Sequence, residues 1–420
     1  FRNSRPGDFS VGFTLEKDAG EKITWSIPNH QYGMDYISLH VQLQNKGRLK
    51  NLVLGNYQCQ FGQGVMLGGI FGMGKGGETI TTTRRTNLGI LPYTSVYEAG
   101  FLRGGDATIK LTDKFFITGF YSFARRDANI EINNEDDPFI SSLQNTGLHR
   151  NDNELAKRQQ IGETNFGSVV QYKHKHLDAG LMLNQVVFDL PVNRSASVYN
   201  QFTFSGRKNI NTGLYLNYTF QNASFFSEYA QTLNAGHAYV AGVLWSLSPN
   251  LDLSILHRKF ERNFYSFYSN AFAEASTTQN ETGTYWGWKY RFNRKFTTAG
   301  YVDLFRFPWL RYRSYAPSSG HEWLLRFSYQ PSRKISLFAQ VREESKVRNI
   351  ESDKPNLYPT ATGKKYNYWF QCDYGIGQKL KLKTRAQFSS FSINQNTTHG
   401  MALLQDIGVD LGKVELSARY

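Results

Sequence analysis

The chain has 420 residues and a formal net charge of +14, from 48 basic and 34 acidic side chains. Hydrophobic residues make up 40% of it, and no apolar stretch approaches the ~20 residues that a transmembrane helix needs. This excludes a helical membrane protein, and the absence of a linker-like segment argues against several soluble domains.

Clusters of Gly, Pro, Asn and Asp divide the chain into short patterned runs, with tight turns alternating with longer connections. We predict tight turns near residues 46–47, 112–114, 176–177, 221–222, 249–250, 293–295, 331–333, 377–379 and 412–413. We predict long connections over residues 19–34, 71–98, 132–163, 189–209, 262–280, 308–319 and 346–365. This alternation is typical of an outer-membrane barrel, which has short periplasmic turns and long outer loops.

The first unusual segment is the glycine-rich stretch FGQGVMLGGIFGMGKGG at 61–77. It fits a phosphate-binding loop only in part, because Gly76 occupies the Ser/Thr position and no helical pattern follows. Two structural interpretations stay open. The glycines let a strand bend sharply, or they let the backbone pass close to a neighbour at the rim.

Residues 149–161, HRNDNELAKRQQI, break the strand pattern and predict a short helix within the connection 132–163. Asn151 and its neighbours supply an N-cap before Glu154, and good helix formers follow. Such a helix either folds inward as a constriction or lies at the rim as an ordered surface loop.

Further along the chain, apolar and polar side chains alternate with a period of two. Three runs show this clearly, over residues 286–293, 335–342 and 380–388. Successive side chains of a strand point to opposite faces, so each run has one apolar and one polar face. The same rhythm continues at Val414–Tyr420, where the sequence stops within the pattern.

We therefore expect an all-β fold: an antiparallel up-and-down outer-membrane β-barrel of roughly 18–22 strands. The apolar face meets lipid and the polar face lines the lumen. Residues 1–420 form one barrel domain. Its final run is interpreted either as an incomplete barrel or as a C-terminal insertion signal with a terminal aromatic residue. A barrel of this size has a lumen too wide for its own side chains to fill.

Several basic residues fall on the polar face of their strands, and they are the candidates for a basic lumen lining. They are Lys173, Lys175, Lys289, Arg291, Arg326, Arg342, Lys381, Lys383 and Arg385. Such a lining favours anions, whereas basic residues at the outer rim would meet lipopolysaccharide phosphates. The alternative is a polar face that needs charge only for its hydration.

The run Tyr301–Tyr315 is dense in aromatic residues and arginine. We interpret it as a rim patch that stacks sugars or clamps phosphates, or as an aromatic girdle whose basic residues reach the lipid headgroups. Its candidate residues are Arg306, Trp309, Arg311, Tyr312 and Arg313.

The nine histidines are scattered and no acid, base and nucleophile converge in sequence, so we expect neither an enzyme nor a resident cofactor. His174 and His176 share a strand face but supply only two ligands, too few for a zinc site.

Six segments together resemble a known family. They are GFTLEKDAGE (12–21), LVLGNYQCQFGQGVMLG (52–68), LPYTSVYEAGFLRGG (91–105), SSLQNTGLHRNDNELA (141–156), FFSEYA (225–230) and DLFRFPWLRYRSYAPSSG (303–320). They are similar to the helix-hairpin-helix (ComEA-type) domain proteins of the Bacteroidota outer membrane, in which a barrel follows an N-terminal helix-hairpin-helix region. The resemblance implies localisation and fold. It supplies no catalytic residues, and the helix-hairpin-helix region is absent from this sequence.

Three functions follow as hypotheses. The first is a passage or translocation component for anionic solutes or macromolecules, gated by loops or a partner. The second is a structural subunit of a larger outer-membrane assembly, with other envelope proteins as partners. The third, DNA uptake with nucleic acid as partner, is implied by the family resemblance alone. Outer-membrane lipid and lipopolysaccharide are the expected surroundings in each case.

Overall fold

The computed structural model describes residues 1–26, 31–72, 74–133, 136–352, 354, 357–377, 379–412 and 414–420. Gln378 and Lys413, which belong to two of the predicted turns, lie outside the described residues. The described residues contain no helix of the length and apolarity that a bilayer crossing requires.

Strands dominate the fold. They are β1 (Arg2–Arg5), β2 (Phe9–Glu16), β3 (Trp25–Ser26), β4 (Gln31–Tyr32), β5 (Tyr36–Lys46), β6 (Leu49–Gln60), β7 (Gly89–Pro92), β8 (Leu102–Lys110), β9 (Phe115–Arg126), β10 (Ala128–Ile132), β11 (Pro138–Leu143), β12 (Ile161–His174), β13 (Leu177–Val192), β14 (Gly206–Phe220), β15 (Ala223–Thr232), β16 (His237–Ser248), β17 (Leu251–Phe260), β18 (Glu281–Arg291), β19 (Phe296–Phe307), β20 (Ser318–Ser332), β21 (Ile335–Asn349), β22 (Thr360–Ile376), β23 (Leu380–Ile393), β24 (Asn396–Asp410) and β25 (Glu415–Arg419). One α-helix, α1 (Asp152–Leu155), and one 3₁₀ turn (Thr81–Thr83) complete the described elements.

The wall is an antiparallel meander. β1, β2, β5, β6, β8, β9 and then β12 to β25 each pair with the next in this order. Within the described residues, β1 and β25 are its edges and no ladder joins them. From β12 to β24 the strands have 10 to 17 residues, enough to cross a bilayer at a tilt. The expected up-and-down barrel fold is thereby confirmed.

Short and long connections segregate to opposite ends of the wall. The turns at 47–48, 111–114, 175–176, 221–222 and 249–250 lie at one end, and the same end holds the later turns up to 411–414. The opposite end carries 17–35, 61–101, 127–160, 193–205, 261–280, 308–317 and 350–359, together with two short turns. The predicted alternation of turns and loops is confirmed.

Burial follows the predicted period of two, as β13 illustrates. Met182 is 4% exposed and Asn184 1%. Leu181, which precedes them, is 64% exposed, and Leu183, which lies between them, is 39% exposed. The outward side chains of such strands are mostly aliphatic or aromatic and open to the surroundings. An apolar outer surface of this extent is stable in lipid but not in water.

The predicted helix is much shorter than the range 149–161. Helical conformation is confined to α1, where the Asn151 side chain accepts the Glu154 backbone N–H at 3.0 Å. Gln159 has a positive φ of 49°, which ends the helical path, and β12 begins two residues later.

Candidate functional site

The glycine-rich stretch lies inside the barrel and not at its rim, where one sequence interpretation placed it. We call residues 61–88 the plug segment; Met73 within it lies outside the described residues. Every residue from Phe61 to Gly68 is buried. Before the segment begins, Gly55 of β6 has a φ of +103°, and an added Cβ there would lie 2.2 Å from the Leu39 carbonyl oxygen. No helix follows the glycines, only the 3₁₀ turn, so a phosphate-loop geometry is not formed.

A second connection, 261–280, also folds inward and packs on the plug segment. The backbone of Asn270 lies against Gly64 and Gly68, and a Cβ at Gly68 would lie 2.5 Å from the Asn270 nitrogen. The Asn270 N–H donates to the Gly64 carbonyl at 2.8 Å. The two inward connections therefore form one body within the lumen.

Apolar contacts hold this body against the wall. One buried cluster combines plug residues such as Val65 and Met66 with Phe264 and Phe272 of the second connection. The same cluster includes inward side chains of β6, β8, β9 and β12 to β20. In this half of the barrel the lumen is a packed core.

Glu228, on the inward face of β15, fixes the tip of the plug segment. Its carboxylate accepts backbone N–H groups from Gln63, from Val65 at 3.1 Å and from Met66 at 2.9 Å. Glu228 is 1% exposed. A buried carboxylate held by several backbone donors is a strong anchor, because hydrogen bonds to a charged acceptor exceed neutral ones in strength.

A buried ionic network makes the second attachment. Lys75 of the plug segment binds Glu274 and, at 2.8 Å, Asp303 of β19. Arg258 of β17 lies beside them, with Nη1 2.8 Å from Asp303 and its Nε bound to Glu281. Buried charges are stable only when paired in this way.

Among the residues that the structure describes, two groups of acidic and histidine side chains are close enough to consider as metal sites. Glu274, Glu322 and Glu344 form one group, but each is bound to a lysine or arginine. Cations of the chain already occupy the oxygen atoms that a metal would need. The arrangement is therefore an ion-pair network.

The other group, Glu21, Asp35 and His149, lies in the outer connections. His149 Nδ1 is 2.6 Å from Asp35 and its Nε2 is 2.8 Å from Asp127. Burial lowers the His149 pKa, but the hydrogen bonds with Asp127 and Asp35 outweigh this and raise it to about 10. Protonated His149 therefore links connections 17–35 and 127–160 through its contacts with Asp35 and Asp127.

The predicted lumen lysines and arginines can now be placed by strand register. Lys289, Arg326 and residues Gln340 and Trp369 form one row across β18 to β22, in line with buried Ala299 on the inward face. By the same alternation the remaining strand residues of the set face inward: Lys173, Arg291, Arg342, Lys381, Lys383 and Arg385. Lys175 lies in the turn between β12 and β13, with a φ of 48°, and is not on a strand face.

Three of these cations have a carboxylate oxygen within 3.5 Å. Lys289 lies 3.2 Å from Glu78 of the plug segment, and Arg342 lies 2.8 Å from Glu322. Arg291 lies 3.4 Å from Asp252. Their charge is therefore largely compensated within the barrel.

Two other arginines stack on aromatic rings of the lumen face. Arg326 lies 3.6 Å from the centre of the Phe338 ring, and Arg385 lies 4.8 Å from the centre of the Trp369 ring. Neither arginine, nor Lys383, has an ion pair with any described residue. These three cations of the inner wall have no ion pair, although Asp373 and Asp406 lie at the cross-strand positions on either side of Lys383.

The predicted rim patch lies at the loop end. Trp309, Arg311, Tyr312 and Arg313 belong to the connection 308–317, and Arg306 is exposed on the outward face of β19. Trp309 is held by its backbone N–H, which donates to the Asn280 side chain at 2.8 Å.

The two arginines of this connection stack on rings. Arg311 lies 3.5 Å from the centre of the Phe307 ring, and Arg313 lies 5.3 Å from that of Tyr312. Burial lowers the Arg311 pKa. The patch joins the wall to the outer connections, and its Tyr312 is 66% exposed.

Sequence reasoning missed the residues that hold the plug. Glu228, Arg258 and Asp303 each lie at an inward position of a wall strand. The available signal was an ionisable residue on the polar face of a lipid-embedded strand. This signal predicts a lumen position for single basic residues, but it does not identify Glu228, Arg258 and Asp303 as partners of the plug segment, because they are far from it in sequence.

No protein-family model and no curated protein matches the chain. Some solved structures are similar to the chain at a low level. OccAB4 of Acinetobacter baumannii has 8% sequence identity and a TM-score of 0.38, with 91% of this chain and 90% of that chain covered. The FrpB iron transporter of Neisseria meningitidis has 11% identity and a TM-score of 0.42, with 96% and 70% covered. OccAB3 of A. baumannii has 10% identity and a TM-score of 0.38, with 98% of each covered.

These values are too low for a function to be carried across. The meander, the apolar outer face and the opposite placement of turns and loops are properties of the chain itself. They define an outer-membrane β-barrel, and the protein is an integral protein of the bacterial outer membrane.

Proposed function

We propose that this barrel is a passage component for anionic solutes, with the plug segment as its gate. Solutes would move along the lumen face of β20 to β24. The observation that supports this most is the contrast in burial. The inward faces of β12 to β19 are covered by the inward connections, whereas most inward residues of β22 to β24 are half-buried or exposed.

Charge supports the choice of anions. The open lumen face holds Arg326, Lys383 and Arg385, which have no carboxylate partner among the described residues, and Lys381, which has only a loose one at 3.7 Å from Glu415. Cations without an ion pair along a low-dielectric wall raise the local concentration of anions and speed their entry.

Single-channel recordings in planar bilayers test the proposal. The native protein is expected to conduct, with a reversal potential in a KCl gradient that indicates anion preference. The triple variant Lys381→Glu, Lys383→Glu, Arg385→Glu is expected to prefer cations, because the lining then carries the opposite charge.

A matched variant controls for the total change in charge. Lys208→Glu, Lys259→Glu, Lys364→Glu alters three outward residues at the loop ends of their strands and is expected to keep the native selectivity. A silent native protein would overturn the passage proposal. Equal selectivity in the native protein and the lumen triple variant would show that the basic lining does not determine anion preference.

A second candidate is a structural subunit without transport, and the buried anchors of the plug favour it. Glu228 and Arg258 are nearly inaccessible, so the plug is firmly attached in this structure. Purification from native membranes distinguishes this role. A fixed stoichiometry with other envelope proteins, together with absent conductance, is its expected signature.

A further inference from the structure

A cavity of about 400 Å³ lies at the loop end, apart from the open lumen face. It is bounded by the second inward connection, 261–280, and by parts of connections 61–101 and 127–160. Its depth is lined by buried residues, Phe264 and Thr278 among them, whereas Asn145 at its margin is exposed. Its size lies within the usual range for small-molecule sites, roughly 300–1,000 Å³.

One side of the cavity is a fixed polar wall. Arg126 Nε lies 3.2 Å from Glu163, and its Nη2 donates to the Tyr268 hydroxyl at 2.9 Å. The Tyr268 hydroxyl in turn donates to Glu163. Arg126 and Glu163 compensate each other, so this wall adds no net charge.

Arg194 is the other charged residue among the described lining residues. Its Nη2 donates to the Tyr265 hydroxyl at 3.2 Å, and its guanidinium lies 6.0 Å from the centre of that ring. It forms no ion pair with any described residue. The cavity therefore has a net charge of +1 that the chain does not neutralise.

The rest of the lining combines rings with neutral hydrogen-bonding groups. Tyr97 and Phe267 present aromatic surface, and Gln144, Ser276 and Thr277 present amide and hydroxyl groups. A single guanidinium beside apolar rings suits a ligand with one carboxylate on a compact apolar body, because Arg presents paired N–H donors to a carboxylate.

We propose that this cavity is a binding site for a small organic monoanion, with Arg194 as the carboxylate-binding residue. The aromatic side chains contact the apolar body, and the amide and hydroxyl groups fix its orientation. The site goes beyond the proposed passage function, since binding here requires no transport.

Isothermal titration calorimetry of the full chain in detergent tests the site, with benzoate as the probe and benzyl alcohol as its neutral counterpart. Benzoate is expected to bind saturably with one site per chain. Benzyl alcohol is expected to bind about tenfold more weakly, the ratio that corresponds to one lost charged contact of ~1.4 kcal/mol.

Arg194→Gln is expected to lower benzoate affinity to that of benzyl alcohol. Arg207→Gln is the matched control, because Arg207 is an exposed cation outside the cavity and should leave benzoate binding at the native level. Ser276→Trp, which fills the margin, is expected to abolish binding of both probes.

Two results would overturn the site: no saturable benzoate binding by the native protein, or unchanged affinity in Arg194→Gln. Its failure is separable from that of the passage proposal. Arg194→Gln should leave the reversal potential unchanged, and the lumen triple variant should leave benzoate binding unchanged.

Discussion

The two halves of the barrel wall share one sequence pattern but differ in what their polar face contacts. In the half formed by β6, β8, β9 and β12 to β20, the inward side chains are buried against the plug segment and the connection 261–280. In the half formed by β21 to β25, no side chain belongs to a buried apolar cluster of the described residues. We call these the filled half and the accessible half.

The difference shows that the polar face of a strand in a wide barrel has two stable environments: it is either buried against an inserted connection or exposed to the lumen. In the filled half, carboxylates such as Glu228 and Asp303 are bound by groups of the plug segment. In the accessible half, lysine and arginine remain hydrated or stack on rings. The same period of two is present in both halves, so the inserted connections decide whether the polar face of each half is buried or exposed.

The largest effect should come from Glu228→Ala. It leaves three buried backbone N–H groups of the plug tip without an acceptor, which destabilises the filled state strongly. We expect a several-fold rise in single-channel conductance as the plug detaches.

The matched variant is Glu344→Ala, on the inward face of β21 and 17% exposed. It should leave conductance near the native value. Native conductance in Glu228→Ala, with normal barrel migration on unheated gels, would show that the plug does not gate the lumen.

A second contrast compares two inward arginines. Arg258→Met leaves buried Glu281 without a cation and leaves Asp303 paired only with Lys75, so we expect a loss of ~3–5 kcal/mol in the free energy of unfolding. Arg291→Met removes a pair whose arginine side chain is 46% exposed, and should cost less than about 1 kcal/mol. Urea titration of the refolded proteins in lipid measures both. Equal losses would contradict the distinction between a buried and an exposed ion pair.

A third contrast compares Gly55 of β6 with Gly47 in the turn of the same hairpin. Gly55→Ala places a methyl group against the Leu39 carbonyl in a left-handed conformation, and we expect a loss of at least about 2 kcal/mol. Gly47→Ala, in the turn of the same hairpin, has a φ of +64° but open space and should cost ~1 kcal/mol. The same titration compares them, and an equal cost would show that the close contact is relieved without strain.

The smallest effect is a pH dependence of the outer connections. The His149 pKa is raised from 6.5 to about 10 in the folded protein. Its stabilisation is therefore fully present below about pH 6.5 and is lost as the pH rises through about 10. The Glu98 pKa is raised to about 9, by burial and then by Asp35, so its loss of a proton acts in the same direction.

Hydrogen exchange of residues 149–157, corrected for the intrinsic rate, should therefore show less protection at pH 10.5 than at pH 6. His149→Gln should remove most of this difference. His174→Gln, in a strand end at the opposite side of the barrel, is the control. A pH-independent protection in the native protein would contradict the role of His149.

Much of the wall could be predicted from the sequence. The alternation in 286–293 and 380–388 assigns Lys289 and Lys383 to the polar face of their strands, because strand geometry alone converts position into face. Turn residues located the short connections for the same local reason. The prediction that Lys175 lies on a strand face was wrong, because it follows the last residue of β12 and the alternation of a strand does not extend into the turn.

The candidate site was predicted far less well. The glycines of 61–77 indicated a bend or a close approach, but not its place, because the partner Glu228 lies 165 residues from Gln63 in sequence. The helix predicted over 149–161 was wrong in extent, because partners outside the segment compete for it. Gln159 donates its backbone N–H to Asp127, and the next strand starts at Ile161.

The sequence by itself determined the barrel, its lipid-facing and lumen-facing sides and the order of turns and loops. These depend on a period of two and on local turn chemistry, both of which are read within a few residues. Only the tertiary structure decided that one half of the lumen is filled and the other accessible. That outcome depends on which distant inward side chains can neutralise and pack against each connection.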